Sequence, residues 1–283
     1  MQIQWYPGHM TKALRQIQED LKLIDLVIEL ADARIPVSSR NPDIKKLTNG
    51  KSHLLILNKA DLADPKITQQ WQEKLKAEGI LSLALDSREK KAAKEVTSAV
   101  LEATKEKRER DLRRGIKNRP VRALIVGIPN IGKSTLINSL AGRKSAKTGN
   151  KPGVTKGKQW IHIGKNLDLL DTPGILWPKF EDEAVGEALA FVGAISDDVV
   201  QQEELAILMY HMLPKLVPGK LGAFYEIPED LEDKDVLSAL AKSRNLLKAG
   251  GQPDETRAAR LLIDDYRSGR LGKITLERIP CQN

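Results

Sequence analysis

The residues Gly127 to Thr135, GIPNIGKST, place a glycine, four intervening residues, and then Gly132, Lys133 and Ser134. Glycines let the backbone curl so that successive N–H groups converge on phosphate oxygens, and a following helix adds the positive end of its dipole. Lys133 is expected to reach β- and γ-phosphates, and the Ser134 hydroxyl to be a ligand for Mg²⁺. Asn130, Ile131, Gly132 and Thr135 complete the expected nucleotide lining. A second set, Asn58-Lys59-Ala60-Asp61, supplies base chemistry. An aspartate accepts hydrogen bonds from both N1–H and the exocyclic amine of guanine, and adenine offers neither, so the wrong base leaves Asp61 unpaired. Asn58 braces the loop in this reading, and Lys59 lays its stem along the base. A third set, Asp171-Thr172-Pro173-Gly174, puts a carboxylate where it binds Mg²⁺ through water and a Gly174 N–H where it senses γ-phosphate. Thr155, in the polar stretch SAKTGNKPGVTKGKQ, is the expected hydroxyl and carbonyl partner of Mg²⁺ and γ-phosphate.

Each set needs a strand behind it, and the hydropathy pattern provides one. Apolar runs at Leu26–Leu30, Leu54–Leu57, Ile80–Leu85 and Ala123–Val126 read as buried strands, the last feeding the phosphate loop. Trp160–Ile163 and Leu167–Leu170, joined by Gly164-Lys165-Asn166, read as a hairpin that delivers Asp171. A helix is expected from about Pro65 to Glu78, another along Ala13, Leu14, Ile17, Leu21 and Ile24, and a third after Ser134. Strands alternating with helices predict a mostly parallel sheet with helices on both faces. Beyond Lys179 the texture becomes helical, with stripes Val185/Leu189/Val192, Leu205/Leu208/Met212, Val236/Leu240/Leu247 and Ala258/Leu261/Leu262/Tyr266. Pro214, Pro218 and Pro228 are expected to separate these helices, and Ile274, Leu276 and Ile279 to form a short terminal strand. The expected domains are therefore 1–178 for nucleotide and 179–283 for contacts, with a basic linker at about 102–120. In that linker Lys105, Lys107, Arg108, Arg110, Arg113, Arg114, Lys117 and Arg119 outnumber the acids, giving either a solvated helix surface or a patch for phosphate backbone.

GIPNIGKST, Thr155, DTPG and NKAD are the first four GTPase motifs, but their order along the chain is rearranged. NKAD comes first and DTPG last. A circular permutation explains this: the sheet is kept, the old termini are joined through the basic segment, and new ends open after DTPG. The loop that senses γ-phosphate then feeds directly into the helical region. At this point the chain resembles the YlqF/RbgA family of circularly permuted, Ras-like P-loop GTPases. WYPGHM, DARIPVSSRNP, NKAD, GIPNIGKSTLIN, KTGNKPGVT and LLDTPGILWPKFED carry the resemblance over nearly the full length. It implies a GTPase that joins a late precursor of the large (50S) ribosomal subunit, hydrolyses GTP to GDP and phosphate, and contacts rRNA and ribosomal proteins. It also places a fifth motif near Asp86-Ser87, with the Ser87 N–H approaching guanine O6. That motif usually continues with glycines, whereas here it reads DSREKKAA.

Position 175, where Ras-like enzymes carry a water-orienting glutamine, is isoleucine, so basal hydrolysis is expected to be slow. Two polar candidates remain. His9 swings toward the γ-phosphate in the reading the resemblance favours, and packs against Trp5 or Tyr6 in the alternative. Asn130 matches the asparagine that holds K⁺ in potassium-dependent GTPases, where the cation neutralises charge between β- and γ-phosphates. A binding module in which GTP only gates an RNA surface stays open as the second reading. A P-loop kinase is disfavoured, because NKAD has no role there.

Composition agrees with a polyanion-facing protein. The 283 residues carry a formal charge of +8 and a pI of about 9.4. Cys281 is the single cysteine, which excludes an intrachain disulfide and fits a reducing compartment. No uninterrupted apolar run is long enough for a bilayer. A cytoplasmic protein, monomeric when free, is expected.

Overall fold

The computed structural model describes residues 15, 17–48, 50–116, 119–142, 159–172 and 182–279. Six strands form one sheet: β1 (Leu26–Asp32), β2 (Ser52–Asn58), β3 (Ser82–Leu85), β4 (Val121–Gly127), β5 (Gln159–Ile163) and β6 (Leu167–Asp171), in the order β3-β2-β1-β4-β6-β5. β1 pairs in parallel with β2 and β4, β2 with β3, and β4 with β6; only β5 is antiparallel, as the hairpin partner of β6. Read from the phosphate-loop strand, the chain would run β4-β5-β6-β1-β2-β3, which restores the usual motif order. The permutation thus changes connectivity and leaves the sheet intact.

The strands are covered on both faces, which is why β1 is buried at every position and reads as an unbroken apolar run. Alternation sorts their side chains. Leu26, Ile28, Leu30, Leu54, Ile56, Ala123 and Ile125 share a core with Val96 and Val100 of α3 (Ala92–Ala103) and with Leu136, Ile137 and Leu140 of α5 (Lys133–Ala141). On the other face Val27, Leu124, Val126 and Leu170 pack with Ile17 and Leu21 of the N-terminal helical stretch and Ile44 of α1 (Pro42–Leu47). Leu55 and Leu57 meet Trp71 and Leu75 of α2 (Pro65–Ala77). Asp64 caps α2 by accepting from Lys66 N and Ile67 N, with Pro65 at the first turn, an arrangement that contributes about 1 kcal/mol. Between α3 and β4 lies α4 (Lys105–Arg113), which buries no residue at all.

The C-terminal helices are α6 (Glu183–Phe191), α7 (Gln202–Leu216), α8 (Lys220–Tyr225), α9 (Asp233–Ser243) and α10 (Glu255–Arg267). Ala258, Ala259, Leu262, Ile263 and Tyr266 bury the inner face of α10 against α7 and α9. Their apolar side chains join those under α3 and α5 in one continuous cluster. Three expectations need correction here. Pro214 lies inside the last turn of α7 rather than between helices, where it removes only one backbone donor. The short helix α8 was not foreseen. Leu247 lies beyond the end of α9 and is exposed. Ile274 and Leu276 form no strand among the described residues. Instead, Ile274 N donates to Leu62 O and Leu276 N to Arg34 O, so the tail lies as a strap across the NKAD side of the sheet. Trp71 Nε1 donates to Glu277 O at 2.9 Å, and the Glu277 carboxylate accepts from Val37 N and Ser38 N, which fixes the strap from both sides.

Candidate nucleotide site

Because five strands run in parallel, the sites that follow β1, β2, β3, β4 and β6 converge at one edge of the sheet, the usual place for a ligand in such a fold. Register brings them level: Asp32 faces Asn58, Asn58 faces Leu85, and Leu30 faces Gly127.

Asn58 is the hub. Its Nδ2 donates to Ile131 O of the phosphate loop at 2.7 Å, while its Oδ1 accepts from Ser87 N at 3.2 Å and Ser87 Oγ at 2.6 Å. One buried amide therefore clamps the NKAD loop, the phosphate loop and the fifth motif together. Gly132 sits at φ +93°, and a Cβ there would come within 2.5 Å of Asn58 Nδ2, so no other residue fits at this contact. The Ser87 N–H, expected at guanine O6, donates here to Asn58 Oδ1 at 3.2 Å.

Asp61 meets Arg88 Nη2 at 2.5 Å, and the same guanidinium forks onto Asp86. These hydrogen bonds hold the Asp86 carboxyl below its ordinary range and raise Arg88. Arg88 thus presents N–H donors to Asp61, the group expected to read the N–H edge of guanine. Arg88 is two-thirds exposed, so its hold is weak.

Lys59 adopts a left-handed φ of +58° and extends Nζ to 3.3 Å from Asp32 Oδ2. Asp32 is wholly buried, and Arg34 binds it with Nε at 2.9 Å and Nη2 at 2.8 Å. Burial alone would raise the Asp32 carboxyl; the charges of Arg34 and Lys59 and the Arg34 hydrogen bonds overcome it and hold the group well below the carboxylate range. Burial pushes the Lys59 ammonium down, with Asp32 opposing.

At the phosphate end, Lys133 is buried, with Nζ on Asp171 Oδ1 at 2.5 Å and on the Thr172 carbonyl. Burial pushes its ammonium below the usual lysine range, and Asp171 opposes the shift. Ser134 and Thr135 lie on the first turn of α5, half-buried. The donor chemistry suits Mg²⁺: a hydroxyl and a carboxylate, both hard oxygens, with no cluster of three acidic or histidine side chains among the described residues. Mg²⁺ typically completes its shell with water and phosphate rather than with a full protein cage. His9, Thr155 and Gly174 lie outside the described residues.

The helical region grips this edge at two points. Asn130, at φ +57° in the phosphate loop, donates Nδ2 to Gly193 O at 2.8 Å, just past α6. Arg267, at the end of α10, donates to Ala190 O and Phe191 O at the end of α6 and pairs with Asp197. Arg34 reaches back to it, stacking over Tyr266 and donating to Arg267 O at 3.4 Å. A chain of contacts therefore runs from Asn130 through Gly193 and α6 to Arg267, Arg34, Asp32 and Lys59. Arg88 and Arg267 were missed from sequence. Arg88 had a signal, its position directly after the fifth motif; Arg267 had none, because its partners lie about 70 residues away.

Residues 122–242 match the family model described as "50S ribosome-binding GTPase". The chain is 48% identical to ribosome biogenesis GTPase A of Bacillus cereus over 98% of its own length and 94% of that protein's. It is 48% identical to the same protein of Priestia megaterium, covering 98% and 97% of the two chains. The GNP-bound structure of YlqF from T. maritima superposes with a TM-score of 0.68 at 29% identity, covering 94% of this chain and 98% of that one. With the P-loop, NKAD and the Asp171-Thr172 strand end gathered at one sheet edge in permuted order, the chain belongs to the ribosome biogenesis GTPase A family.

Proposed function

We propose that this protein is a GTP hydrolase that acts as a late assembly factor for the large ribosomal subunit, binding the precursor with GTP and releasing it after hydrolysis. The observation that carries the reading is the Asn58 clamp, which makes one cup of base-reading and phosphate-binding loops. In this cup Asp61 exchanges Arg88 for the N–H donors of guanine. Lys133 exchanges Asp171 for β- and γ-phosphate oxygens, and the freed carboxylate, through water, with Ser134 and Thr155 would hold Mg²⁺. Mg²⁺ held there would supply neutralisation of the phosphate charge. Asn130, with Nδ2 on Gly193 O, would hold K⁺; His9 orients the attacking water, and Gly174 reports γ-phosphate. Residues 1–178 form the nucleotide half and 179–283 the half that meets rRNA and ribosomal proteins. No helix among the described residues is long and apolar enough to cross a membrane. In this reading the chain works on ribosomes in the cytoplasm and is a monomer when free.

The test is GTP turnover with and without large subunits, in K⁺ and in Na⁺, for the parent and for His9→Ala. Stimulation by subunits in the parent, lost in His9→Ala with binding intact, is the expected result. Equal stimulated turnover in both removes His9 from the mechanism; equal turnover in K⁺ and Na⁺ removes the cation; no stimulation in the parent overturns the ribosomal reading. The Asn130–Gly193 bond gives weight to a second reading in which GTP mainly gates the helical surface. A hydrolysis-dead variant that still matures subunits would favour it.

A further inference from the structure

At the opposite edge of the sheet, where β1, β2 and β4 begin, lies an open cleft of about 410 Å³. Lys22, Lys51, Lys107, Arg110, Arg114 and Arg119 line it, against only two acids, Asp25 and Asp111. Three of the six cations are tied down. Lys107 lies 3.3 Å from Asp25 and 3.1 Å from Asp111, Arg119 lies 3.3 Å from Asp25, and Lys51 donates to Ile24 O at 3.0 Å. Lys22, Arg110 and Arg114 make no ion pair among the described residues. The two acids are thereby consumed in fixing the floor of the cleft, and its walls keep uncompensated positive charge.

The helix that forms one wall is unusual in a second, independent way. α4 buries no residue, and Leu112 and Ile116 at its far end are 58% and 41% exposed. A short helix gains most of its stability from an apolar face packed on a core, and this one has none. Lys107, Arg110 and Arg114, spaced by three and four residues, share the face that looks into the cleft and span about 10 Å along it. Arginine forks suit phosphate oxygens, and a concave site with cations on several walls holds a backbone that enters it rather than grazing a flat patch.

We propose that this cleft binds the phosphodiester backbone of a folded RNA segment, and that α4 is a recognition helix completed by that RNA. The inference rests on the ribosomal reading above and adds to it a site distinct from the C-terminal helices. The nucleotide lies at the other ends of the same strands, about 20 Å away for a seven-residue strand, so RNA and GTP occupy the protein together without competing.

The test uses the full chain and an RNA hairpin of arbitrary sequence, titrated from low to physiological salt. Arg110→Glu with Arg114→Glu is compared with Lys105→Glu and Arg113→Glu, an equal charge change on the outer side of α4. Lys22→Glu, off the helix, guards against loss of α4 itself. The cleft variants are expected to weaken hairpin binding at least 10-fold. The slope of log K against log salt should fall by about 1.5 for the arginine pair and 0.7 for Lys22→Glu. The outer pair should have much less effect, and basal GTP turnover should stay at the parent value throughout. Equal loss in the inner and outer pairs, unchanged binding in the cleft variants, or equal affinity for inorganic phosphate or polyglutamate overturns the proposal. A parent that binds the hairpin but is not stimulated by large subunits fails the ribosomal reading instead. A stimulated parent whose cleft variants bind the hairpin normally fails the cleft alone.

Discussion

The two edges of the one sheet handle charge in opposite ways. At the carboxyl edge nearly every charged group already has a protein partner: Asp32 with Arg34 and Lys59, Lys133 with Asp171, Asp61 with Arg88. At the amino edge the acids are used up and cations are left over. The first arrangement suits a site that must exchange partners, since groups already desolvated and paired trade one counter-charge for another at small net cost. The second suits a surface that waits for a polyanion. Net charge says only that the protein is basic; the placement of its acids says where it is basic.

Substitutions that unbalance the carboxyl edge sharpen this contrast, and the largest effect is expected at Arg34. Arg34→Ala leaves Asp32 buried beside Lys59 alone, which should destabilise the fold by about 3–5 kcal/mol in urea titrations. A loss under 1 kcal/mol would mean that the buried pair is not what joins the strand end to α10. Lys133→Ala should reduce GTP affinity more than about 100-fold by fluorescent-nucleotide titration, because the phosphates lose their one buried cation at this end. Retained binding would take Lys133 out of the phosphate site. A pH titration tests the same pairing without substitution. The Asp32 carboxyl is depressed in the fold, so its contribution is fully present above the unfolded value near 4 and is lost as pH falls below that. In Arg34→Ala the carboxyl loses its main counter-charge, so the gap in stability from the parent should narrow as pH falls from about 5 to 3; a constant gap would contradict the assignment. The smallest effect is expected at Arg88. Removing it frees Asp61 from an exposed partner, so Arg88→Ala should tighten GDP binding by no more than about fivefold. A weakening would show that Arg88 supports the base instead of standing in its place.

How much of this was legible in the sequence follows the range of each interaction. Gly132, Lys133, Asn58 and Asp171 announce themselves because their chemistry requires particular residues at strand ends, and the strands are plain from their apolar runs. The permutation was legible too, since motif order is a property of the chain. The strap at residues 274–279 was not, because its register is set by Arg34, Val37 and Trp71, more than 200 positions away. Nor was the bareness of α4. Its composition predicts a helix, but only the fold reveals that it buries none of its residues. The Asn58–Ser87 contact was not legible either, because the two residues belong to the ends of different strands.

The proposed GTP hydrolysis requires a guanine base against Asp61 in the cup shared with the phosphate loop. Asp61→Asn turns part of that acceptor into a donor, so competition titration of GTP, XTP and ATP measures the contact directly. The parent should prefer GTP over both, and the variant should lose GTP affinity and gain preference for XTP. A variant that keeps the parent's order of preference would contradict the assigned base site.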